Sequence, residues 1–454
     1  MDKNDIIPLK ITALSSEGSG IGRYDGIAVF VPFSAVGDKL LVHILKVKKN
    51  YAYGKIHEII SPSKDRIENA CPVFRKCGGC AYRHIDYKKE CEAKSEIVFN
   101  NLKRIGGCKG FSFEEILSDS DTRYRNKAQY PIEADGKDLK IGFYSPRSHR
   151  VNDCEDCALQ PKEYKDILKT VREFLSVYKI SVYNEQSKKG LVRHIYIRKA
   201  EKTEQIMVVL VINGNALPHS DELISALKKL LGEELKSVQL NVNLKDTNVI
   251  LGNTNKLLYG EPYITDEILG VKLRISPLSF YQVNRTMAEK LYTKAAEYAE
   301  SDGKTVLDLY CGTGSIGLTM AKNAKKIIGV EIIPQAVEDA KINAELNGIK
   351  NAEFICADAA DAAKQLNKKG IKPEVIIVDP PRKGCDAALL DTIANGFGPK
   401  RIVYVSCDSA TLSRDCKILE EKGYKLKKAT PADLFPRTVH VETVALLVRT
   451  VSAI

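Results

Sequence analysis

The chain has no apolar run long enough to cross a membrane as a helix, and its hydrophobic stretches are short and strand-like. A membrane-spanning helix is therefore not expected. The first residues, Met1-Asp2-Lys3-Asn4-Asp5, are rich in acids and carry no hydrophobic core, so no secretory signal is expected. We expect a cytoplasmic protein. The sequence also lacks low-complexity tracts and internal repeats, which excludes a solenoid or an array. Tryptophan is absent, and that absence excludes nothing. Cysteine is plentiful, at 12 residues, yet without an export signal a disulfide framework is not expected. Clustered cysteines in a reducing compartment point instead to metal binding or catalysis.

A length of 454 residues with 44% hydrophobic content supports two or three domains with real cores. The net charge of +11 leans towards a polyanionic partner. Residues 1–61 read as an all-β module, with short apolar runs (Leu9–Thr12, Ile27–Val31, Lys39–Leu45) between glycine-bearing turns. That pattern predicts a small barrel. Its third strand leads into Lys46-Val47-Lys48-Lys49-Asn50-Tyr51-Ala52-Tyr53-Gly54-Lys55, where lysines alternate with tyrosines. Such a surface suits tracking of phosphates and stacking of bases. After the linker Ser61-Pro62-Ser63, residues 62–270 read as a cysteine-bearing segment, a helix over Tyr87–Ile105 and an α/β region. Residues 271–454 alternate strand and helix in a doubly wound pattern.

Cys71, Cys77 and Cys80 form C-x5-C-G-G-C, and Cys154 and Cys157 follow at a distance. Four thiolates can hold tetrahedral zinc or an iron–sulfur cluster. The spacing is neither that of a paired zinc ribbon nor the C-x3-C-x2-C of radical enzymes, so no radical chemistry is expected. Spacing alone leaves the metal open and leaves Cys154 and Cys157 as rivals for the fourth position.

The C-terminal part carries a strand, a glycine turn and a helix start in Val306-Leu307-Asp308-Leu309-Tyr310-Cys311-Gly312-Thr313-Gly314-Ser315. Glu331, Asp358 and Asp379 stand at the ends of successive strand-like runs. Acids at those places can hold ribose hydroxyls, while the glycines admit a close backbone approach. This layout resembles the S-adenosylmethionine-dependent methyltransferase fold. Cys407 follows the strand-like run Arg401–Val405, where α/β chemistry gathers, and is a candidate nucleophile. His440-Val441-Glu442 precedes a terminal apolar strand, and an alternating strand would put His440 and Glu442 on one face. Glu442 is the candidate general base.

Taken with Ser279-Phe280-Tyr281-Gln282-Val283-Asn284, Asp379-Pro380-Pro381-Arg382, Ser406-Cys407-Asp408 and Thr411-Leu412-Ser413-Arg414-Asp415, these motifs resemble the bacterial RNA uracil-C5 methyltransferase family over essentially the whole chain. The resemblance implies a TRAM domain in residues 1–61 and a 4Fe-4S cluster on Cys71, Cys77, Cys80 and Cys157. It implies Cys407 as nucleophile and Glu442 as proton acceptor. It further implies S-adenosylmethionine contacts from Gln282, Tyr310, Glu331 and Asp379, and less directly from Ser315 and Asp358. Arg123–Gln129 matches a segment expected near substrate RNA, and Leu278 stands where many relatives carry arginine. The expected product is 5-methyluridine, with 23S rRNA the expected substrate, tRNA the alternative, and the enzyme a monomer. The rivals are an amino-group or cytosine-C5 methyltransferase, or a metal-stabilised RNA-binding protein without turnover.

Overall fold

The computed structural model describes residues 1–136 and 138–450. Residues 6–61 form a curled six-stranded sheet in the order Ile6–Lys10, Lys39–Val47, Tyr51–Ser61, Ile27–Pro32, Ser19–Tyr24, Ala13–Leu14. Alternation in these strands turns Ile7, Leu9, Val29, Val31, Val42 and Ile44 into a common core. The Lys/Tyr run is part of a hairpin, with Tyr51 and Tyr53 on its second strand and not in a loop. Tyr51, Tyr53 and Phe30 form an aromatic group with centroids 5.5–5.9 Å apart.

The central sheet has seven strands, of which Val192–Lys199 and Ile206–Ile212 are buried on both faces. One face is covered by helices Glu163–Val177 and Ser220–Leu231. The other contributes Tyr196, Met207 and Val209 to a core shared with the catalytic part.

The catalytic sheet runs Ala352–Cys356, Lys326–Glu331, Thr305–Leu309, Val375–Val378, Arg401–Ser406, Glu442–Arg449, Tyr424–Ala432. The first five strands are parallel, and Glu442–Arg449 is inserted antiparallel. Parallel strands buried on both faces read as continuous Val/Ile/Leu runs, which is why they were legible. An eighth strand, Ser112–Phe113, comes from earlier in the chain and pairs with Tyr424–Ala432. Helix Tyr87–Arg104 also leaves the central region. Its Val98 and Leu102 pack with Leu412, Cys416 and Leu419 of helix Ser409–Glu421, and Asn101 Nδ2 donates to Ser409 Oγ at 2.8 Å. In space, the segment expected within residues 62–270 is thus divided between two layers. No helix among the described residues is long and apolar enough to cross a membrane.

Candidate active site

Parallel strands expose their C-terminal ends along one edge of the sheet. Asp379 follows strand Val375–Val378, and Cys407 follows strand Arg401–Ser406. Glu442 opens a strand of opposite direction, so its first residue lies on that same edge. The register pairs Ser406 with Thr443, which sets Cys407 beside Glu442. All three line one cleft of about 1820 Å³.

The motif around Cys407 is a built turn. Asp408 caps helix Ser409–Glu421, its Oδ1 accepting from the amides of Ala410 and Thr411 at 2.9 Å each. That cap, worth about 1 kcal/mol, leaves the half-buried Cys407 facing the cleft. Asp415 accepts from the Cys385 amide at 2.8 Å and from Tyr404 Oη at 2.7 Å, so it braces the loop after Asp379-Pro380-Pro381.

Electrostatics in this corner favour neutral groups. Burial, then the Glu442 and Asp379 charges, push the Cys407 thiol up to about 11, against the Arg382 charge and a backbone hydrogen bond that lower it. Burial and then Asp379 raise the Glu442 carboxyl to about 8. Burial lifts Asp379 to about 7. Arg382 Nη2 lies 3.3 Å from His440 Nε2. Burial first, then Arg382, keep that imidazole neutral and able to accept from the guanidinium. His440 precedes the strand and does not belong to it, yet it shares the cleft with Glu442. Because a thiol that ionises near 11 is reactive only through its thiolate, alkylation of Cys407 should rise about tenfold per pH unit from 7 to 10. Peptide mass mapping after iodoacetamide checks this. Arg382→Ala should make Cys407 slower to alkylate at each pH, since it removes the one lowering charge.

On the nucleotide side, Asp308 Oδ2 accepts from the Gly317 amide at 3.0 Å and closes the turn. Gly312 has φ +56°, and a Cβ there would project into open space. Tyr310 adopts φ +65°, a strained conformation for a side-chain-bearing residue, and lines the cleft. Such outliers cluster at functional sites. Glu331 accepts from the Gly312 amide at 3.1 Å and the Ile333 amide at 2.9 Å, which fixes its carboxylate at the strand end. Gln282 lines the cleft too, with its carbonyl held by Asn126 Nδ2 at 3.0 Å. The glycine cradle, the fixed acid and Asp379 make a pocket that fits a nucleoside with a charged sulfonium end.

Two expected contacts stand apart from the cleft. Ser315 Oγ is taken by Tyr292 Oη at 3.1 Å. Asp358 caps helix Ala359–Lys368 through the amides of Ala360 and Asp361. Of Arg123–Gln129, Arg125 faces the cleft. Arg123 instead binds Asp156 and the carbonyls of Cys157 and Gln160, so it holds the cysteine loop in place. Arg382 is the residue whose role the sequence reading left unassigned. Its position directly after Asp379-Pro380-Pro381 was the available signal.

Cys71, Cys77, Cys80, Cys154 and Cys157 line the far wall of the same cleft. Among the described residues no three His, Cys, Asp or Glu side chains converge as ligands of a single metal ion would. The Cys77 and Cys80 thiols are pushed up by burial first and then by neighbouring cysteines, Cys80 to about 12. Cys157 is drawn down, by a hydrogen bond from Cys154 first and then by the Leu159 amide, the Arg83 charge and the Gln160 amide, against the effect of burial. Beyond this wall lie Lys46 and Tyr53 of the N-terminal sheet, so one continuous channel joins barrel, cysteines and Cys407.

The parallel sheet with an inserted antiparallel strand, the glycine cradle and the acids at its strand ends define an S-adenosylmethionine-dependent methyltransferase. A family model described as tRNA (Uracil-5-)-methyltransferase matches residues 86–450, and the TRAM domain model matches residues 3–57. The chain belongs to the uracil-5-methyltransferase family and is an S-adenosylmethionine-dependent RNA methyltransferase. It is 44% identical over 447 residues to an uncharacterized RNA methyltransferase of Clostridium tetani, covering 98% of this chain and 96% of that one. A Clostridium acetobutylicum relative, also an uncharacterized RNA methyltransferase, is 46% identical over 98% of both chains. Among solved structures, the Pyrococcus abyssi tRNA (uracil-54, C5)-methyltransferase in complex with S-adenosyl-L-homocysteine is 27% identical. It superposes with a TM-score of 0.79 over 97% of this chain and 100% of that one.

Proposed function

We propose that this protein methylates carbon 5 of a uridine in 23S rRNA through a covalent adduct between Cys407 and carbon 6. The observation that carries this reading is the meeting of Cys407 and Glu442 at one sheet edge beside the nucleotide pocket. Carbon 5 of uracil is a weak nucleophile. Addition of the Cys407 thiolate to carbon 6 moves the ring electrons into an enolate, which is nucleophilic at carbon 5. S-adenosylmethionine, when bound, supplies an electrophilic methyl group. Carbon 5 then bears both methyl and proton. The Glu442 carboxylate takes the proton, the carbon 5–carbon 6 double bond re-forms, and the thiolate leaves. Gln282, Tyr310, Glu331 and Asp379 hold the cofactor in this reading. The target base must leave its stack to reach the cleft, and the Lys46–Tyr53 surface and Arg125 receive the displaced strand.

Residues 1–61, 62–270 and 271–454 act as RNA-binding, cluster-bearing and catalytic units of a cytoplasmic monomer. Cys71, Cys77, Cys80 and Cys157 would hold the 4Fe-4S cluster. These four thiols line one wall of the cleft, and the glycines between Cys77 and Cys80 would let the loop wrap a multi-iron group. Cys71→Ala should yield colourless protein with iron content well below the parent's. A brown preparation with full iron would remove Cys71 from the ligand set.

A tRNA substrate is the second reading. The Pyrococcus abyssi tRNA enzyme is matched along its full length, so the three-part architecture does not by itself separate the two RNAs. Nucleoside mass spectrometry of unmodified 23S and tRNA transcripts, incubated with methyl-labelled S-adenosylmethionine, decides. Label in 5-methyluridine of 23S supports the first reading and label in tRNA the second. Label in any other nucleoside overturns the Cys407–Glu442 mechanism.

A further inference from the structure

The segment Asp433–Val441 has no regular structure, yet it is largely buried and runs straight into Glu442. Its carbonyls are held one by one from distant parts of the chain. Asn284 Nδ2 donates to Leu434 O at 3.2 Å, Lys94 Nζ to Phe435 O at 3.2 Å, and Tyr124 Oη to Pro436 O at 2.9 Å. Arg437 O accepts from the Ala81 and Tyr82 amides at 2.8 and 3.1 Å. Ala81 is the residue after Cys80.

Arg437 is the knot of this arrangement. It is 4% exposed and sits at φ +71°, a left-handed conformation rare for a residue with a side chain. Such a conformation persists only where the surroundings over-determine it. Its amide donates to Glu90 Oε1 at 2.6 Å. Its guanidinium donates to Ile85 O at 2.6 Å, to Glu90 Oε2 at 3.3 Å and to the Asp121 carboxylate. Glu90 is bound in turn by the fully buried Lys94 at 2.7 Å, and Lys94 also holds Asp433 Oδ1 at 2.8 Å. One side chain therefore ties three things together: the loop that ends the C-x5-C-G-G-C run, the start of helix Tyr87–Arg104, and the approach to Glu442. Buried charges are costly unless each is paired, so opening one contact of this network would leave another buried charge without its partner.

We propose that Arg437 is a positioning residue that locks the cysteine-bearing loop to the strand beginning at Glu442, so that the order of the loop sets the placement of the proton acceptor. This rests on the reading of Glu442 given above. Nothing passes chemically between the two walls of the cleft in this scheme. What is shared is a common mechanical anchor. Loosening it should slow proton removal at carbon 5 more than methyl transfer, because Cys407 is set by its own helix cap, whereas Glu442 is the terminal residue of its ladder, opposite Ala432, where the anchored segment enters the strand.

The test uses full-length Arg437→Ala and Arg437→Lys beside the parent and Glu442→Gln, with two readouts. The first is amide hydrogen exchange, which reports local opening independently of catalysis. Segments 80–85 and 433–441 should both exchange about tenfold faster or more in Arg437→Ala, with strands of residues 6–61 unchanged. The second is the partition of label between covalent protein–RNA adduct and free methylated RNA. In a single turnover with enzyme in excess over RNA, Arg437→Ala should build up adduct while methyl incorporation stays within about threefold of the parent, since general-base losses fall on the release step. Arg437→Lys keeps the charge and not the planar fork, so it should fall between the two. Faster exchange in one segment only, or incorporation and release falling in step, overturns the proposal. If both segments loosen but neither Arg437→Ala nor Glu442→Gln yields adduct, the coupling is supported and the role of Glu442 fails. Should Arg437→Ala not fold, Asp121→Asn takes its place, since it removes the charge of a partly exposed anchor of the same guanidinium. The same joint loosening is expected from it, and its absence counts against the proposal.

Discussion

Glu442→Gln, incubated with substrate RNA and S-adenosylmethionine, should convert the protein into a trap for its own product. Glutamine is close in size and hydrogen bonding but cannot take a proton from carbon 5. Methyl transfer precedes that step and needs only the Cys407 thiolate, so it should proceed. Release should fall by about 10²–10⁴-fold, the usual contribution of a positioned general base. A denaturing gel should show a slow-migrating protein–RNA band carrying the methyl label. In the parent, release of product should rise with pH towards about 8, because burial raises the Glu442 carboxyl and only its ionised form accepts a proton. The sign follows from the direction of that shift: below pH 8 the acid form dominates and turnover slows. An inactive Glu442→Gln with no adduct on the gel would place proton removal elsewhere.

Cys407→Ala should abolish both turnover and adduct. Without addition at carbon 6 there is no enolate, and carbon 5 has no means of attacking the methyl group. Loss of an activated nucleophile costs on the order of 10⁴-fold or more in rate. The variant should still bind S-adenosylmethionine and RNA, because the helix cap by Asp408 and the acids on the nucleotide side are untouched. Equilibrium binding of both ligands therefore separates loss of chemistry from loss of fold. Retained methylation in Cys407→Ala would restore the amino-group rival, which has no need of a thiol. The double variant Cys407→Ala/Glu442→Gln should show no adduct, since the trap depends on the bond that Cys407 makes.

These expectations rest on residues that were legible before any fold was known. Cys407, Glu442, Gln282, Tyr310, Glu331 and Asp379 were singled out from motifs and strand ends, and the structure gathers all six around one cleft. Strand ends were legible because parallel strands are buried on both faces and so read as apolar runs with an abrupt polar stop. Ser315 and Asp358 looked similar in sequence, and both also make local contacts here, Ser315 with Tyr292 and Asp358 with the helix it caps. Arg123 opens the segment expected near RNA and pairs with Asp156 and the Cys157 loop. A sequence shows that an arginine is present, but not which of its possible partners is nearest.

The chemistry on offer was carried by the linear chain: the thiol after a strand, the acid before one, the glycine turn and a group of five cysteines whose fourth-position member spacing left open. Each depends on residue type and short-range spacing, which a linear chain carries in full. The tertiary structure alone decided how these parts are held. It sent helix Tyr87–Arg104 and strand Ser112–Phe113 across to the catalytic layer, inserted Glu442–Arg449 antiparallel so that Glu442 meets Cys407, and buried Lys94, Glu90, Asp433 and Arg437 together. Those contacts join residues up to about 350 positions apart. No local pattern encodes them, because the free energy of pairing buried charges depends on which groups the whole fold brings within reach.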